Sequence, residues 1–260
     1  MSTILDKIIA NKRIVIAQSK QSQSMDELEC QLGHIEPRQS FKESIKKSST
    51  GIIAEFKRRS PSKDWIFKEA KIEEVIPYYS KGGASAISVL TDFDFFGGNL
   101  NDLKEASLLT NTPLLRKDFM VDEYQIYQAK IYGASAILLI AAALTIDETK
   151  NLAKKAKELG LDVLLEIHNE QELDHINEFV DVVGVNNRNL KTFVTDVQVS
   201  FQLVEKIPNE FLKISESGIS STQTVKELEQ VGYQGFLMGE NFMKTPNPGE
   251  ALEQFIKELQ

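Results

Sequence analysis

Short apolar runs alternate with longer amphipathic stretches along the chain from residue 51 onward. Eight of these runs have the length and the β-branched or aliphatic character of strands, and they cover residues 52–57, 84–91, 113–118, 134–141, 162–167, 182–187, 212–216 and 235–238. Most are nearly continuous in apolar residues, which is typical of parallel strands covered by helices. The pattern therefore predicts eight consecutive βα units.

The segments between the strands carry helix signals. Residues 122–132, 145–159 and 222–231 are amphipathic, Thr145 and Glu148 have the spacing of a capping box, and Gly160 follows as a helix stop. An open Rossmann sheet is the alternative, but no G-x-G-x-x-G follows the first strand. Eight units favour closure into an α/β fold, the (β/α)8 TIM barrel.

About 50 residues precede the first strand. Their apolar spacing predicts helices at 4–18 and 41–48, joined by a polar stretch at 18–26. We expect residues 1–50 to form an N-terminal helical cap over the catalytic mouth, because their amphipathic pattern needs an apolar surface. The chain shows no linker-like composition break, so residues 1–260 are predicted to form a single domain.

Composition and charge exclude several classes of function. Lys and Arg number 30 against 38 Asp and Glu, and a net charge of −8 argues against a nucleic-acid or acidic-membrane binder. The single Cys30 excludes an intramolecular disulfide and fits a reducing cytoplasm. The most apolar run, 134–144, is shorter than the ~20 residues of a membrane span. None of the three histidines has metal-site spacing, so no metal is expected.

Ionisable side chains gather where the predicted strands end, which is where barrel enzymes place their active sites. The polar residues at these ends are Glu55, Lys57, Lys117, Asp118, Glu166, Asn186, Arg188, Glu216 and Ser217. Alternation places Glu55 and Lys57 on the same strand face. Lys117 follows an apolar run, and a purely structural ion pair is the alternative to a catalytic role there. Arg58 and Arg59 are interpreted as solvated loop charges.

The last two units end in small residues, Ser217-Gly218 and Gly239-Glu240, just before predicted helices. Barrels often bind phosphate at this position through backbone N–H groups, so we expect a phosphate site there. Phe93, Phe95, Phe96 and Phe119 could line an aromatic-substrate pocket, and core or loop packing is an equally good interpretation of them.

Six segments resemble those of the indole-3-glycerol phosphate synthase family, in the family's order and over nearly the whole chain. They are residues 55–63, 95–98, 115–119, 165–167, 185–190 and 216–219, and the first, EFKRRSPSK, is the most specific. Two positions depart from the pattern: Asp64 stands where the family often has Gly, and Asn187 where Ser is common. Both are expected to change loop geometry rather than chemistry.

The resemblance implies a phosphorylated aromatic substrate, 1-(2-carboxyphenylamino)-1-deoxyribulose 5-phosphate, and no cofactor. By resemblance Lys117 is the general acid of ring closure, Glu166 transfers a proton in the later dehydration, and Lys57 holds the substrate carboxylate. The remaining matches orient the intermediate (Glu55, Asn186, Glu216), contact substrate (Ser60, Phe96, Phe119, Arg188) or hold phosphate (Ser217, Gly218, Gly239, Glu240). The Glu240 carboxylate would repel phosphate unless it turns away.

Two other hypotheses remain at this point. A phosphosugar aldolase or isomerase on the same scaffold would use Lys117 to form a Schiff base. A catalytically silent phosphometabolite-binding protein would have little need for Lys57, Lys117 and Glu166 together.

Overall fold

The computed structural model describes residues 3–33 and 35–260 of the chain. His34, one of the histidines with no expected metal role, lies outside the described residues, as do Met1 and Ser2. Eight parallel strands close into a barrel, which confirms the predicted fold class. The barrel strands are β1 (Ile52–Phe56), β2 (Ala86–Leu90), β3 (Leu114–Lys117), β4 (Ala136–Ile140), β5 (Asp162–Ile167), β6 (Val182–Asn186), β7 (Leu212–Glu216) and β8 (Gly235–Met238).

Helices precede the barrel and follow most of its strands. They are α1 (Ile4–Ser22), α2 (Met25–Leu32), α3 (Phe41–Lys47), α4 (Ile72–Lys81), α5 (Phe93–Phe96), α6 (Leu100–Leu109), α7 (Glu123–Ile131), α8 (Ile146–Glu158), α9 (Gln198–Leu203), α10 (Thr222–Gln230), α11 (Glu240–Met243) and α12 (Pro248–Leu259). The predicted capping box at Thr145 and Glu148 begins α8. Between β5 and β6 the chain forms only a 3-10 helix, Glu170–His175.

Alternation along each strand separates two apolar layers. Ile53, Leu164 and Ile214 belong to a cluster inside the barrel, whereas Ile52 and Val163 pack outward with the helices. Glu55 and Lys57 are in step with Ile53, and both line the cavity at the carboxyl end of the barrel. The face that Glu55 and Lys57 share is therefore the inward one.

Three helices before the first strand contact the barrel at different places. Near the start of α1, Ile4, Leu5 and Ile8 line the cavity at the carboxyl ends of the strands. Helix α2 packs on α7 along the side of the barrel. Helix α3 covers the opposite end, where Ser44 donates a hydrogen bond to the Ser85 carbonyl before β2. Only the α1 part of the expected cap thus lies at the mouth.

The polar stretch at 18–26 was predicted as a connection, and this prediction is wrong. Helix α1 continues to Ser22, because lysine and glutamine tolerate a helix well even without an apolar face. A second helix, α2, begins at Met25, and its start is marked by a capping box between Ser24 and Glu27.

Candidate active site

A cavity of about 630 Å³ opens at the carboxyl ends of the barrel strands. The residues to which the resemblance assigns a role all contribute to its wall: Glu55, Lys57, Ser60, Phe96, Lys117, Phe119, Glu166, Asn186, Arg188, Glu216, Ser217, Gly218, Gly239 and Glu240. Phe93 and Phe95, the other two candidates for an aromatic pocket, do not line it. Strand ends from around the barrel bring the wall residues together although they are far apart in sequence. The cavity is therefore the candidate active site.

Lys117, at the end of β3, lies between two buried carboxylates. Its Nζ is 3.1 Å from Glu166 Oε2 and donates a short hydrogen bond to Glu216 Oε2. Burial lowers the pKa of Lys117, but the carboxylates of Glu216, Glu166 and Glu55 outweigh burial and raise it above its usual range. Lys117 is thus a protonated amine at the wall of the cavity.

The two partners of Lys117 differ from each other. Burial raises the pKa of Glu216 to about 7, and the opposing charge of Lys117 offsets this only in part. Burial would also raise the pKa of Glu166, but Lys117 and His168 hold it below its usual range. One carboxylate of the pair can therefore accept a proton near neutral pH, whereas the other remains ionised.

A second ion pair joins Glu55 and Lys57 at the end of β1. Lys57 Nζ lies 2.6 Å from Glu55 Oε1, and Ser88 donates a hydrogen bond of 3.4 Å to Glu55 Oε2. Gly239 makes room for this carboxylate, because a Cβ there would be 2.6 Å from Glu55 Oε1. Gly184 does the same for Glu216, since any side chain at that position would collide with Oε1.

Two polar atoms in the wall have no hydrogen-bond partner within the described chain. They are Glu216 Oε1 and Ser60 Oγ, and both are buried. Buried polar atoms are nearly always paired, so unpaired ones at a cavity point to contacts with a ligand. The site therefore offers a polar ligand a hydroxyl on the loop after β1, whereas Glu216 Oε1 lies against Gly184 inside the barrel.

The expected phosphate end of the cavity has an unusual backbone and several cations. Ser217 has φ 69°, a left-handed conformation that is uncommon outside glycine, and Gly218 follows with φ 75°. The Glu240 carboxylate lies 3.3 Å from Lys63 Nζ and 3.9 Å from Arg188 Nη2. Its negative charge is thus offset by two cations in this structure.

Two residues in the loop after β1 need comment: Arg58, which was predicted to be a solvated charge, and Asp64, which departs from the family pattern. Arg58 is not a solvated charge, because it pairs with Asp102 at 2.6 and 3.0 Å and donates to the Ala70 carbonyl. Asp64, which stands where the family often has Gly, has φ 56°. Aspartate tolerates this left-handed conformation better than most residues, so it can stand at this position.

Aromatic residues form the side of the cavity near α1. The rings of Phe96 and Phe119 are 6.0 Å apart. Buried Lys12 of α1 lies 2.7 Å from both Asp92 and Asp118, which follow β2 and β3. These carboxylates also accept the N–H groups of Phe95 and Phe119, so α1 is fastened to the loops that carry the aromatic wall.

Sequence reasoning missed three residues of the site. Lys63 and Lys244 line the cavity as further cations. His168 lies directly behind Glu166, with Nε2 3.3 Å from Glu166 Oε1. A signal for His168 was available, since it follows Glu166 by two positions and alternation places both on one face. The lysines lie in loops, whose course the apolar pattern does not specify.

Residues 3–33 and 35–260 hold no group of three His, Cys, Asp or Glu side chains arranged for a metal ion. Over the same ranges, every helix is too short or too polar to cross a membrane.

The comparisons with known proteins agree with one another. The sequence model of indole-3-glycerol phosphate synthase matches residues 5–259. A Bacteroides thetaiotaomicron protein of that name is 53% identical over 260 residues, covering 100% of both chains. An Alkaliphilus metalliredigens protein of the same name is 42% identical over 253 residues, covering 96% of this chain and 97% of its own.

Solved structures with low identity share the fold alone. The 3-hexulose-6-phosphate synthase from Salmonella typhimurium has 12% identity and a TM-score of 0.61, over 81% of this chain and 100% of its own. A mutant tryptophan synthase alpha-subunit from Pyrococcus furiosus has 17% identity and a TM-score of 0.62, over 82% of this chain and 98% of its own. With its full-length relatives and the matching sequence model, the chain belongs to the indole-3-glycerol phosphate synthase family.

Proposed function

We infer that the cavity carries out the reaction of this family. The chain is a carboxy-lyase of tryptophan biosynthesis. It closes 1-(2-carboxyphenylamino)-1-deoxyribulose 5-phosphate into indole-3-glycerol phosphate, with loss of carbon dioxide and water. The observation that supports this site is Lys117 Nζ held between the carboxylates of Glu166 and Glu216 on the cavity wall.

Ring closure needs a proton donor at the ketone oxygen, and Lys117 is proposed as that donor. The ring carbon that bears the carboxylate attacks the ketone carbon, and the carbonyl electron pair becomes a hydroxyl by taking the proton from Nζ. The bond to the carboxylate then breaks, carbon dioxide leaves, and the electron pair restores the aromatic ring. Lys57 is proposed to hold the substrate carboxylate and to assist acid chemistry.

Dehydration needs a proton acceptor, and Glu166 is proposed for this step. A proton leaves the carbon next to the nitrogen for the Glu166 carboxylate, and the electron pair forms the double bond of the indole. The hydroxyl takes a proton from a lysine of the site and leaves as water. Because its pKa lies below its usual range, the Glu166 carboxylate is ionised at neutral pH and so has a free electron pair to take that proton.

The remaining wall residues are proposed to bind and orient. Glu55, Asn186 and Glu216 would fix the intermediate by hydrogen bonds. Contacts to the rest of the substrate would come from Ser60, Phe96, Phe119 and Arg188. The phosphate group would lie at Ser217, Gly218, Gly239 and Glu240, close to the cations Lys63 and Lys244.

An aldolase-type reaction through a Schiff base is disfavoured by the state of Lys117. Schiff-base formation requires a neutral amine, and lysines that act this way usually have a lowered pKa. The carboxylates around Lys117 raise its pKa instead. The same environment suits a proton donor.

We further propose that the enzyme acts in the cytoplasm on a small phosphorylated aromatic substrate. The support is indirect: the sequence has one cysteine, and Cys30 is a free, exposed thiol of the kind a reducing compartment preserves. The acidic net charge of −8 speaks against nucleic acid as a partner.

The test is incubation of the purified chain with the anilino-ribulose phosphate while indole absorbance is followed. We expect indole-3-glycerol phosphate to form without an added cofactor. Borohydride added during turnover should trap no adduct on Lys117. Well-folded protein that forms no indole-3-glycerol phosphate would overturn the proposed function, and a covalent adduct at Lys117 would favour the aldolase hypothesis.

A further inference from the structure

His168 is a nearly buried imidazole that contacts Glu166, the proposed proton acceptor, on the side away from Lys117. It follows β5, and only 11% of its side chain is exposed. Its Nε2 lies 3.3 Å from Glu166 Oε1, an ion-pair distance, without the alignment of a hydrogen bond. The opposite oxygen of Glu166, Oε2, is the one that faces Lys117. Each oxygen of this carboxylate therefore has its own cationic partner.

The other side of the imidazole is fixed by Glu172. His168 Nδ1 lies 3.2 Å from Glu172 Oε2, and the same oxygen accepts the backbone N–H of His168 at 2.7 Å. The second oxygen of Glu172 accepts a hydrogen bond of 2.7 Å from the Asn169 side chain. Glu172 is thus held at both oxygens and acts as a rigid support.

The charges facing His168 come from two elements, Glu166 of β5 and Glu172 of the 3-10 helix, while Lys117 of β3 lies beyond Glu166. With a carboxylate beside each ring nitrogen, both nitrogens need a proton. Burial lowers the pKa of His168, but the two carboxylates raise it to about 10. The imidazole is therefore a permanent cation at neutral pH.

This second cation matters when Lys117 gives up its proton. Once Lys117 is a neutral amine, it no longer offsets the charge of Glu166. The imidazolium at Oε1 still does so, which keeps Glu166 ionised for the step that follows. No other cation is in ion-pair contact with Glu166 within residues 3–33 and 35–260.

We propose that His168 is a positioning residue for dehydration: supported by Glu172, its imidazolium holds Glu166 Oε1 and leaves Oε2 directed at the reacting intermediate. The inference rests on the proton-accepting role proposed above for Glu166. It assigns His168 no contact with the substrate.

The variant His168→Gln tests this, because glutamine keeps a polar side chain but removes the charge. An opposite charge within 4–6 Å lowers a carboxylate pKa by about 1–3 units. Loss of the His168 charge should therefore move the acid limb of the pH profile of kcat to higher pH by a comparable amount. In a single turnover, carbon dioxide release should keep nearly its wild-type rate while indole absorbance lags, because decarboxylation precedes dehydration. KM should change less than kcat.

His175→Gln is the matched control. His175 ends the same 3-10 helix, but its Nδ1 pairs with Thr149 Oγ1 at 2.8 Å and not with any residue of the cavity wall. This variant should keep the wild-type pH profile and show no lag. Glu172→Gln, which weakens the support, should shift the acid limb in the same direction as His168→Gln.

NMR of the imidazole nitrogens gives a measurement that does not need the His168 variant to fold. His168 should be doubly protonated at pH 8 in the wild-type enzyme, and its pKa should fall in Glu166→Gln. A neutral His168 at that pH, or His168→Gln with unchanged kcat, pH profile and step order, would overturn the inference. Wild-type protein without turnover would instead overturn the proposed function itself.

Discussion

At the scale of single residues, Lys117 and its carboxylate partner Glu216 determine each other's charge. We expect Lys117→Met to fold, because the pKa of Glu216, about 7, lets this carboxylate take up a proton when its cation is removed. Activity should suffer far more, with kcat falling about 10²-fold or more, the usual scale for general acid catalysis. KM should change less. The measurement is kcat, KM and Tm on the same variant.

Lys213→Met is the control for this prediction. Lys213 is also a buried lysine, at the start of β7, where it donates hydrogen bonds to the Val204 carbonyl and to Asn209. Its loss should lower Tm while the folded molecules keep their kcat. If Lys117→Met behaves in the same way, Lys117 is half of a structural ion pair and the general-acid role is wrong.

The raised pKa of Glu216 has a measurable cost in stability. A carboxyl with pKa about 7 in the folded chain and 4.5 as its ordinary value stabilises the fold most below pH 4.5, and this contribution is lost as the pH rises through 7. Glu216→Gln does not titrate, so its Tm relative to wild type should increase between pH 4.5 and pH 8, while kcat falls.

Glu253→Gln is the control, because its Tm difference from wild type should change with pH in the opposite direction. The exposed Glu253 has a lowered pKa because it accepts a hydrogen bond from Lys257, so that variant should lose Tm relative to wild type as the pH rises. A Tm difference for Glu216→Gln that stays flat with pH would mean that Glu216 titrates near its ordinary value.

Residue positions were predictable where strand alternation and strand ends determine them. Glu55, Lys57 and Glu166 were found in this way, because a period of two and the barrel geometry leave little freedom. Arg58 was misjudged, since its partner Asp102 is 44 positions away and no local pattern reveals the pair. His168 shared the alternation of Glu166, but its clamping by Glu172 depends on a 3-10 turn that the sequence pattern did not predict.

At the scale of elements, one buried lysine connects α1 to the aromatic wall. Lys12→Met leaves Asp92 without its cation, although Asp118 keeps Arg116 as a partner. Breaking a buried pair typically costs about 3–5 kcal/mol, so Tm should fall. KM should rise as well, because Asp92 and Asp118 accept the N–H groups of Phe95 and Phe119. Steady-state kinetics and thermal unfolding measure both effects.

Lys20→Met separates this effect from a general weakening of α1. Lys20 also makes an ion pair from α1, with Asp122, but its side chain is 43% exposed. Surface pairs contribute about 0–1 kcal/mol, so Tm and KM should hardly change. A Lys12→Met enzyme with the KM of the wild type would show that α1 does not shape the substrate site.

The N-terminal helices mark the limit of prediction for elements. The apolar spacing of α1 and α3 was sufficient to predict helices, whereas α2, which has only 8 residues, was not predicted. The apolar pattern did not predict which part of the barrel each helix packs against. Amphipathicity specifies that an apolar face is buried, and it does not specify whether the partner is the mouth, the side or the bottom of the barrel.

At the scale of the whole molecule, the eight βα units were predictable because each strand is covered on both faces and stays apolar throughout. Closure followed from the number of units and not from any single residue. The pattern did not predict that a 3-10 helix replaces the α-helix of the fifth unit. A barrel tolerates such an irregular connection, because the strands on either side of it still pair with each other.

Because loops from several strands build the proposed phosphate site, ligand binding there should stabilise the whole barrel. We expect inorganic phosphate to raise Tm, since a ligand that binds only the folded chain adds about 2.7 kcal/mol at a concentration of 100 Kd. Gly218→Ala should abolish this rise, because Gly218 has φ 75° and an added Cβ would lie 2.6 Å from Thr195 Cγ2. In Gly160→Ala, the control, φ is also left-handed at 69°, but the nearest atom to the new Cβ is 3.7 Å away, so Tm should fall while the response to phosphate persists. Equal phosphate responses in the two variants would exclude the turn after β7 as the phosphate site, because only Gly218→Ala disturbs that turn.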